Sequence, residues 1–187
     1  MTTTDEVVRI TDWNIDSSHS TCEFAVRHIL VSTIKGAFAK VSGQVHYDPE
    51  AVANSWVRAE IDIASVDTHN AGRDDMLRGP DQFDVATYPT ASFVSNSVDA
   101  VDVNRFDVTG EMTFRGITQP VTFATTFEGT AEQSNGITRA AFIALATIKR
   151  TDFGLSLGRI IPAGVPSVLD EIQLAMYLTC QEPPQEQ

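Results

Sequence analysis

The chain has 187 residues and 42% of them are hydrophobic, so one domain can bury a core without disulfide or metal staples. It carries 25 acidic against 13 basic residues, a net charge of −12. That balance excludes nucleic acid as a partner, because such affinity rests on Lys and Arg neutralising phosphates, and it opposes charge-driven docking on an anionic leaflet.

Residues 1–12 have neither the basic start nor the apolar run of a signal peptide and read as a flexible N-terminal segment, which makes a soluble cytoplasmic protein the expectation. Thr21 to His28 then alternates, with Cys22, Phe24, Val26 and His28 on one face. Ile34 to Tyr47 is a long strand broken by Gly36 and Gly43, and glycine inside a strand marks a bulge or bend. Trp56 to Ala64 places Val57, Ala59, Ile61 and Ile63 together.

The period changes between Val66 and Pro89. Asn70 caps a helix of about eight residues, ~12 Å long, and Gly79-Pro80 stops it, Gly by taking left-handed angles. Arg73, Met76 and Leu77 share one helical face, which sets an arginine beside two apolar side chains. Such an insert between strands caps one end of a barrel; the plainer reading is an ordinary connection with solvated charges.

Alternation resumes at Thr90 to Ser95 and continues in three later strands. Arg105 to Arg115 sets out Phe106, Val108, Met112 and Phe114, and Val121 to Glu128 sets out Val121, Phe123, Thr125 and Phe127. Gly136 to Arg150 is apolar on both faces, so both are expected to be covered. Val168 to Cys180 groups Val168, Ile172, Leu174, Met176, Leu178 and Cys180, and residues 182–187 read as a flexible polar tail. Asp48-Pro49, Ser134-Asn135-Gly136 and Gly164 to Pro166 mark turns.

The pattern gives about seven or eight long antiparallel strands and one helical insert. A long sheet with one apolar face closes on itself because closure removes its edges. The fold class is therefore all-β, an elongated eight-stranded antiparallel barrel with a short helix over one end. No stretch reaches the ~20 apolar residues of a membrane helix, so no stable membrane insertion is expected. Cys22 and Cys180 lie in apolar alternation and read as two buried reduced thiols, with a disulfide between the chain ends left open. The ten phenylalanines against three tyrosines and two tryptophans are either a packed aromatic core, the ordinary reading of periodicity, or the wall of a tunnel, which the strand length favours.

A series of short motifs carries a resemblance. These are Trp13 to Ser20, Phe24, Val26-Arg27-His28, Gly36-Ala37-Phe38, and Ile63 to Thr68 with Asn70, Arg73-Asp74 and Leu77. They continue with Phe83-Asp84-Val85, Tyr88-Pro89, Val108-Thr109-Gly110, Thr113, Gly116-Ile117-Thr118, Pro120-Val121 and Arg150 to Gly154. In this order and spacing they resemble the YceI-like polyisoprenoid-binding proteins, from Trp13 to Thr179, so residues 13–181 are taken as one such domain.

The resemblance implies a lipocalin-like barrel, often dimeric, with a long isoprenoid or related lipid in its tunnel. It implies that Phe24, His28, Phe38, Phe83 and Phe93 line or close that tunnel. It also implies that His19, Asp67, Arg73, Asp74 and Asp152 form polar contacts holding the insert and strand ends. Strand and helix faces extend the candidate ligand-binding set to Val26, Arg73, Met76, Leu77, Phe106, Met112, Phe114, Phe123, Phe127, Phe142, Phe153 and Met176. A phosphate head would meet Arg27, Arg73 or Arg150, and a quinone head His28 or a tyrosine; the competing fate of each arginine is an ion pair with Asp67, Asp74 or Asp152.

The chain departs from the family pattern at Met76 and Arg115, where relatives often carry histidine, at Gln82, where they often carry an aromatic, and over Gly158 to Pro166. Many relatives also carry a secretion signal.

The expected partner is an isoprenoid or related hydrophobic small molecule, polyprenyl or isoprenoid quinone, which the protein binds, sequesters or transports. No cofactor, metal or catalytic residue is expected. The alternatives are an isomerase or hydrolase for a lipid-like substrate, in which His28 and Asp152 meet as a buried pair, and a ligand-free interaction or storage module. Neither HExxH, GxSxG nor a P-loop occurs, and Asp67, His69, Asp74 and Asp75 lack a known metal-ligand spacing.

Overall fold

The structure is a computed structural model and describes residues 11–134, 136–156 and 158–183. Most of the N-terminal segment, Asn135 of the expected turn and most of the C-terminal tail lie outside the described residues. The alternating stretches form β1 (Thr11–Ile15), β2 (Thr21–His28), β3 (Ser32–Phe38), β4 (Val41–Tyr47), β5 (Trp56–Asp62) and β6 (Val66–Asp67). After the helix α1 (Ala71–Arg78) come β7 (Thr90–Asp102), β8 (Arg105–Phe114), β9 (Ile117–Glu132), β10 (Thr138–Lys149) and β11 (Val168–Gln181).

Eight strands close a ring in the order β1-β4-β5-β7-β8-β9-β10-β11, and β11 returns to β1 through Asn14↔Gln181 and Ile15↔Cys180. Every pairing is antiparallel, so the chain is a closed meander with no free edge around that ring. β2 and β3 prolong β1 and β4 as a hairpin that stays paired to β11 on one side and meets β6 on the other. Where β1, β4 and β11 converge, Trp13 is 2% exposed, and Val41 and Cys180 are fully buried.

The stretch read as one strand from Ile34 to Tyr47 is two. It breaks at Ala39-Lys40, where Ala39 N donates to Ser65 O (3.4 Å) and Lys40 N to Ser65 Oγ (3.2 Å), so the insert draws the chain out of the ladder. Further on, inside β4, Gly43 lets the strand press close to β5: its φ is +140°, and a Cβ would stand 2.0 Å from Arg58 O. β7 runs on to Asp102, beyond the expected Ser95, through a bulge at Ser95/Ser97 that keeps it paired with β8. The outward face of β10 is not covered as expected: Leu145 is 51% exposed and Ile143 half-buried.

The insert folds as its caps dictate. Asn70 Oδ1 accepts from Arg73 N (2.9 Å), and Arg78 at the last turn donates to Ala64 O (2.9 Å) and Val66 O (2.7 Å). Gly79 does not take the expected left-handed angles. Its φ of −67° and ψ of 165° are extended, its N–H still donates to Met76 O (3.1 Å), and Pro80 completes the stop.

Candidate functional site

The barrel encloses a cavity of about 1110 Å³, just above the ~300–1,000 Å³ of ordinary small-molecule pockets. Its axis runs from the end near the β4–β5, β7–β8 and β9–β10 turns to the end under α1. The first end is closed by rings. Tyr47 stands 4.8 Å from Phe127, 5.6 Å from Phe106 and 5.7 Å from Phe142, all four buried. Burial raises the pKa of the Tyr47 hydroxyl. Phe106 and Phe142 line the cavity; Phe127 does not, because it packs behind them, against Tyr47 and 5.3 Å from Phe142.

Midway, Phe93 and Phe123 meet edge to face at 5.1 Å, with Met112 on the strand between them, and Met176 and Val26 line the cavity from β11 and β2. Cys22, paired with Met176, also lines the cavity, and burial pushes its thiol pKa up to about 12. Cys180 is likewise free and buried, so no disulfide joins the chain ends. Under the insert a row of rings crosses the cavity: Phe24–Phe38 at 5.4 Å, Phe38–Phe83 at 6.0 Å, Phe83–Phe114 at 5.3 Å and Phe114–Phe153 at 6.2 Å. Gly36 leaves room for the first of them, since a Cβ there would lie 2.5 Å from Phe24 Cζ. Leu77 of α1 completes this wall.

The lining residues that reach solvent are Ser32, Thr33, Lys35, Gly72, Met76 and Gly158. They place the mouth between the start of β3, α1 and the loop before β11. His28, Arg73, Gln82, Arg150 and Ser167 bring polar atoms to it. Two of the three arginines weighed for a head group are committed elsewhere. Arg27 lies outside the cavity and donates to Leu30 O (2.6 Å) and Thr33 Oγ1 (3.0 Å). Arg73 forms none of the expected ion pairs; its Nε donates to Thr68 Oγ1 (2.7 Å) and its Nη2 to Thr68 O (2.8 Å). Asp74 instead accepts from Thr68 N (2.9 Å) and Thr68 Oγ1 (2.5 Å), which holds its pKa below the carboxylate norm.

Arg150 differs from both. It is half-buried, its Nε is buried without a partner, and among the described residues its guanidinium makes no hydrogen bond or ion pair. The neighbouring Asp170 is occupied by Thr151 N (3.0 Å) and Thr151 Oγ1 (2.9 Å). Burial lowers the pKa of Arg150, opposed in part by Asp170.

The other expected contacts divide between the strand ends and the insert. His19 sits at a strand end, the β1–β2 corner, 2.9 Å from Asp16, which Arg139 also meets at 2.9 Å. The Ser18 hydroxyl does most to bring the Asp16 pKa down to about 2. Asp67 accepts from His69 N (2.7 Å), and the Asp152 carbonyl accepts from Gln119 Nε2 (3.0 Å). Asp152 is solvent-exposed and shows no contact with His28, so that buried pair is not formed. Arg115 turns to Gly154 O (3.0 Å), whereas Met76 and Gln82 line the mouth. The lining residues missed in the sequence include Tyr47, Ile148 and Leu174. Tyr47 ends the Val41, Gly43, Val45 alternation, and that signal was available.

Comparison with known proteins agrees with this geometry. The YceI-like domain family model matches residues 13–180. A UPF0312 protein of Vibrio vulnificus is 35% identical over 146 residues, 77% of each chain, and one of Pseudomonas fluorescens is 34% identical over 150 residues, 79% of this chain and 78% of that one. Among solved structures, Burkholderia cenocepacia BcnA superposes with a TM-score of 0.76 at 29% identity, covering 88% of this chain and 98% of its own. A polyisoprenoid binding domain from Saccharophagus degradans shares the fold, with a TM-score of 0.68 at 17% identity over 94% of this chain and 100% of its own. With its closed eight-stranded barrel, its single helix over one end and a match spanning nearly all the strands, the chain belongs to the YceI-like domain family.

Proposed function

We propose that the tunnel binds a long isoprenoid-type lipid, a polyprenyl chain or isoprenoid quinone, and sequesters or carries it as a binding protein rather than an enzyme. The observation that carries this reading is the polarity gradient of the cavity. It is closed by packed aromatic rings at the Tyr47 end, where the other polar lining groups are His46, Ser55 and Thr125, and its lining lysine and arginines, Lys35, Arg73 and Arg150, all stand at the mouth. The tail lies toward Tyr47 and the head beside Arg150. The polyisoprenoid binding named for the Saccharophagus degradans relative supports the ligand class.

The affinity comes from burial. Each CH₂ removed from water contributes ~0.8 kcal/mol, so a five-carbon unit contributes about 3–4 kcal/mol gross, before ordering costs. Selectivity along such a chain is low; length is set by the ring cluster and head group by the mouth. The test is uptake of detergent-solubilised polyprenol by Phe123→Asp, which puts a carboxylate at mid-tunnel. Uptake is expected to vanish while the circular dichroism of the barrel persists. Undiminished uptake by a folded variant would remove this wall from the binding site.

A further inference from the structure

The hairpin between β2 and β3 turns through Ile29, Leu30 and Val31, at the mouth. A tight hairpin that needs positive φ ordinarily uses Asn-Gly or Asp-Gly. Here Ile29 has φ +43° and Leu30 φ +66°, and a β-branched residue in that region is a steric outlier. The chain therefore holds strain to present apolar side chains. Val31 is 77% exposed and Leu30 46%. The turn is braced by the Arg27 guanidinium on Leu30 O (2.6 Å) and by Ile29 N donating to Ser167 O (2.8 Å). That second bond joins the hairpin to the loop before β11, whose Ile160 is 58% exposed. Across the mouth, Met76 is 57% exposed.

The charge around this rim departs from that of the whole molecule. From Phe24 to Tyr47 there is no acid, and the basic residues are Arg27, Lys35 and Lys40, the last of them paired with Asp62 (3.3 Å); from Phe153 to Leu169 there is Arg159 and no acid. All 25 acidic residues of the chain lie outside these two segments; of the exposed acids near the mouth, Asp67, Asp75 and Asp81 stand on the insert side, and Asp152 and Glu171 stand at the β10–β11 end. Apolar tips flanked by basic residues, beside the opening of a greasy tunnel, match a bilayer interface, where apolar side chains sink and Lys and Arg meet anionic head groups.

We infer that the β2–β3 hairpin and the loop carrying Ile160 dock on a lipid bilayer bearing anionic head groups, so that the tunnel mouth opens against the membrane for cargo to enter and leave. This rests on the lipid-cargo reading above, since a water-insoluble cargo must be exchanged with a lipid phase. Docking is peripheral: the tips sink into the interface and the barrel stays outside it.

The test uses the full chain with vesicles of mixed phosphatidylcholine and phosphatidylglycerol, scored by flotation, and with the same vesicles loaded with polyprenol, scored by the rate of transfer to the protein. Uptake of detergent-solubilised polyprenol is measured alongside. Leu30→Asp with Val31→Asp should lower flotation and transfer at least about tenfold, from the loss of several buried carbons at each site, and leave solubilised uptake unchanged. Val31→Asp alone, in the residue outside the strained pair, guards against misfolding and should act in the same direction. Val103, 86% exposed on the β7–β8 turn at the other end, is the control, and Val103→Asp should float like the parent. A parent that takes up solubilised polyprenol but does not float, or a hairpin variant that floats and transfers as the parent does, overturns the docking inference and leaves the cargo reading standing. Absence of solubilised uptake by the parent overturns the cargo reading, and the docking inference with it.

Discussion

At the Tyr47 end of the barrel, four rings close the tunnel by packing on one another, with centroids 4.8–5.7 Å apart. At the α1 end, the tunnel is bordered by a helix held through hydrogen bonds, Arg73 on Thr68, Thr68 on Asp74 and Arg78 on two carbonyls, and by an arginine that holds nothing. The first end is stabilised mainly by the burial of its rings. The second is stabilised by directional bonds and, among the described residues, leaves the buried Arg150 Nε without a partner. A closed apolar end with an open polar one gives an elongated amphiphile a single orientation.

The largest effect should come from opening the closed end. Phe142→Ala removes a ring that touches both Tyr47 and Phe127, and should lower stability by about 3–5 kcal/mol, read by urea denaturation. In the variant that still folds, the longest polyprenol retained should increase. A stability loss with unchanged length preference would place the end of the tunnel elsewhere.

Next, Arg73→Ala should loosen the other end. Two charge-assisted hydrogen bonds to Thr68 disappear, so stability should fall by about 2 kcal/mol, with little change in which lipid is preferred. Equal melting temperatures would show that the insert does not depend on this side chain.

Arg150→Met sharpens the contrast in the opposite direction. Replacing a half-buried cation that lacks a partner by an apolar side chain should leave the melting temperature unchanged or raise it by about 2–4 °C, while weakening binding of phosphate-headed lipids relative to neutral ones. A clear loss of stability would mean that the Asp170 field already compensates the charge.

The outline of the barrel was legible because period-two alternation is a strong signal when one face is buried, as it is from Cys22 to Val26 and from Phe106 to Phe114. The Asn70 cap and the eight-residue helix were legible for the same local reason. What was not legible depends on distant partners. The break at Ala39-Lys40 is made by Ser65, the committed arginines by Thr68 and Leu30, and the exclusion of Phe127 from the lining by Tyr47. Alternation names the face of a strand, not the height along the tunnel at which rings meet. Nor does it tell an arginine with a partner from one without.

The smallest effect should be that of acid. The pKa of Asp16 is depressed in the folded chain, so its contribution is fully present above 3.8 and is lost as pH falls from there toward about 2. Asp74 is shifted in the same direction through Thr68, so acid should loosen the insert as well as the β1–β2 corner. Thermal melts across this range should decline for the parent and decline less for Asp16→Asn. Parallel profiles would remove Asp16 from the account.

The most direct test of the tunnel as a lipid site is native mass spectrometry of the freshly purified chain, paired with solvent extraction and mass spectrometry of the extract. The account predicts a mass increment that matches one long isoprenoid per chain, present in the extract, or appearing on titration with polyprenol. A chain that stays at its bare mass after titration, with an extract free of lipid, would contradict it and leave the phenylalanines as core.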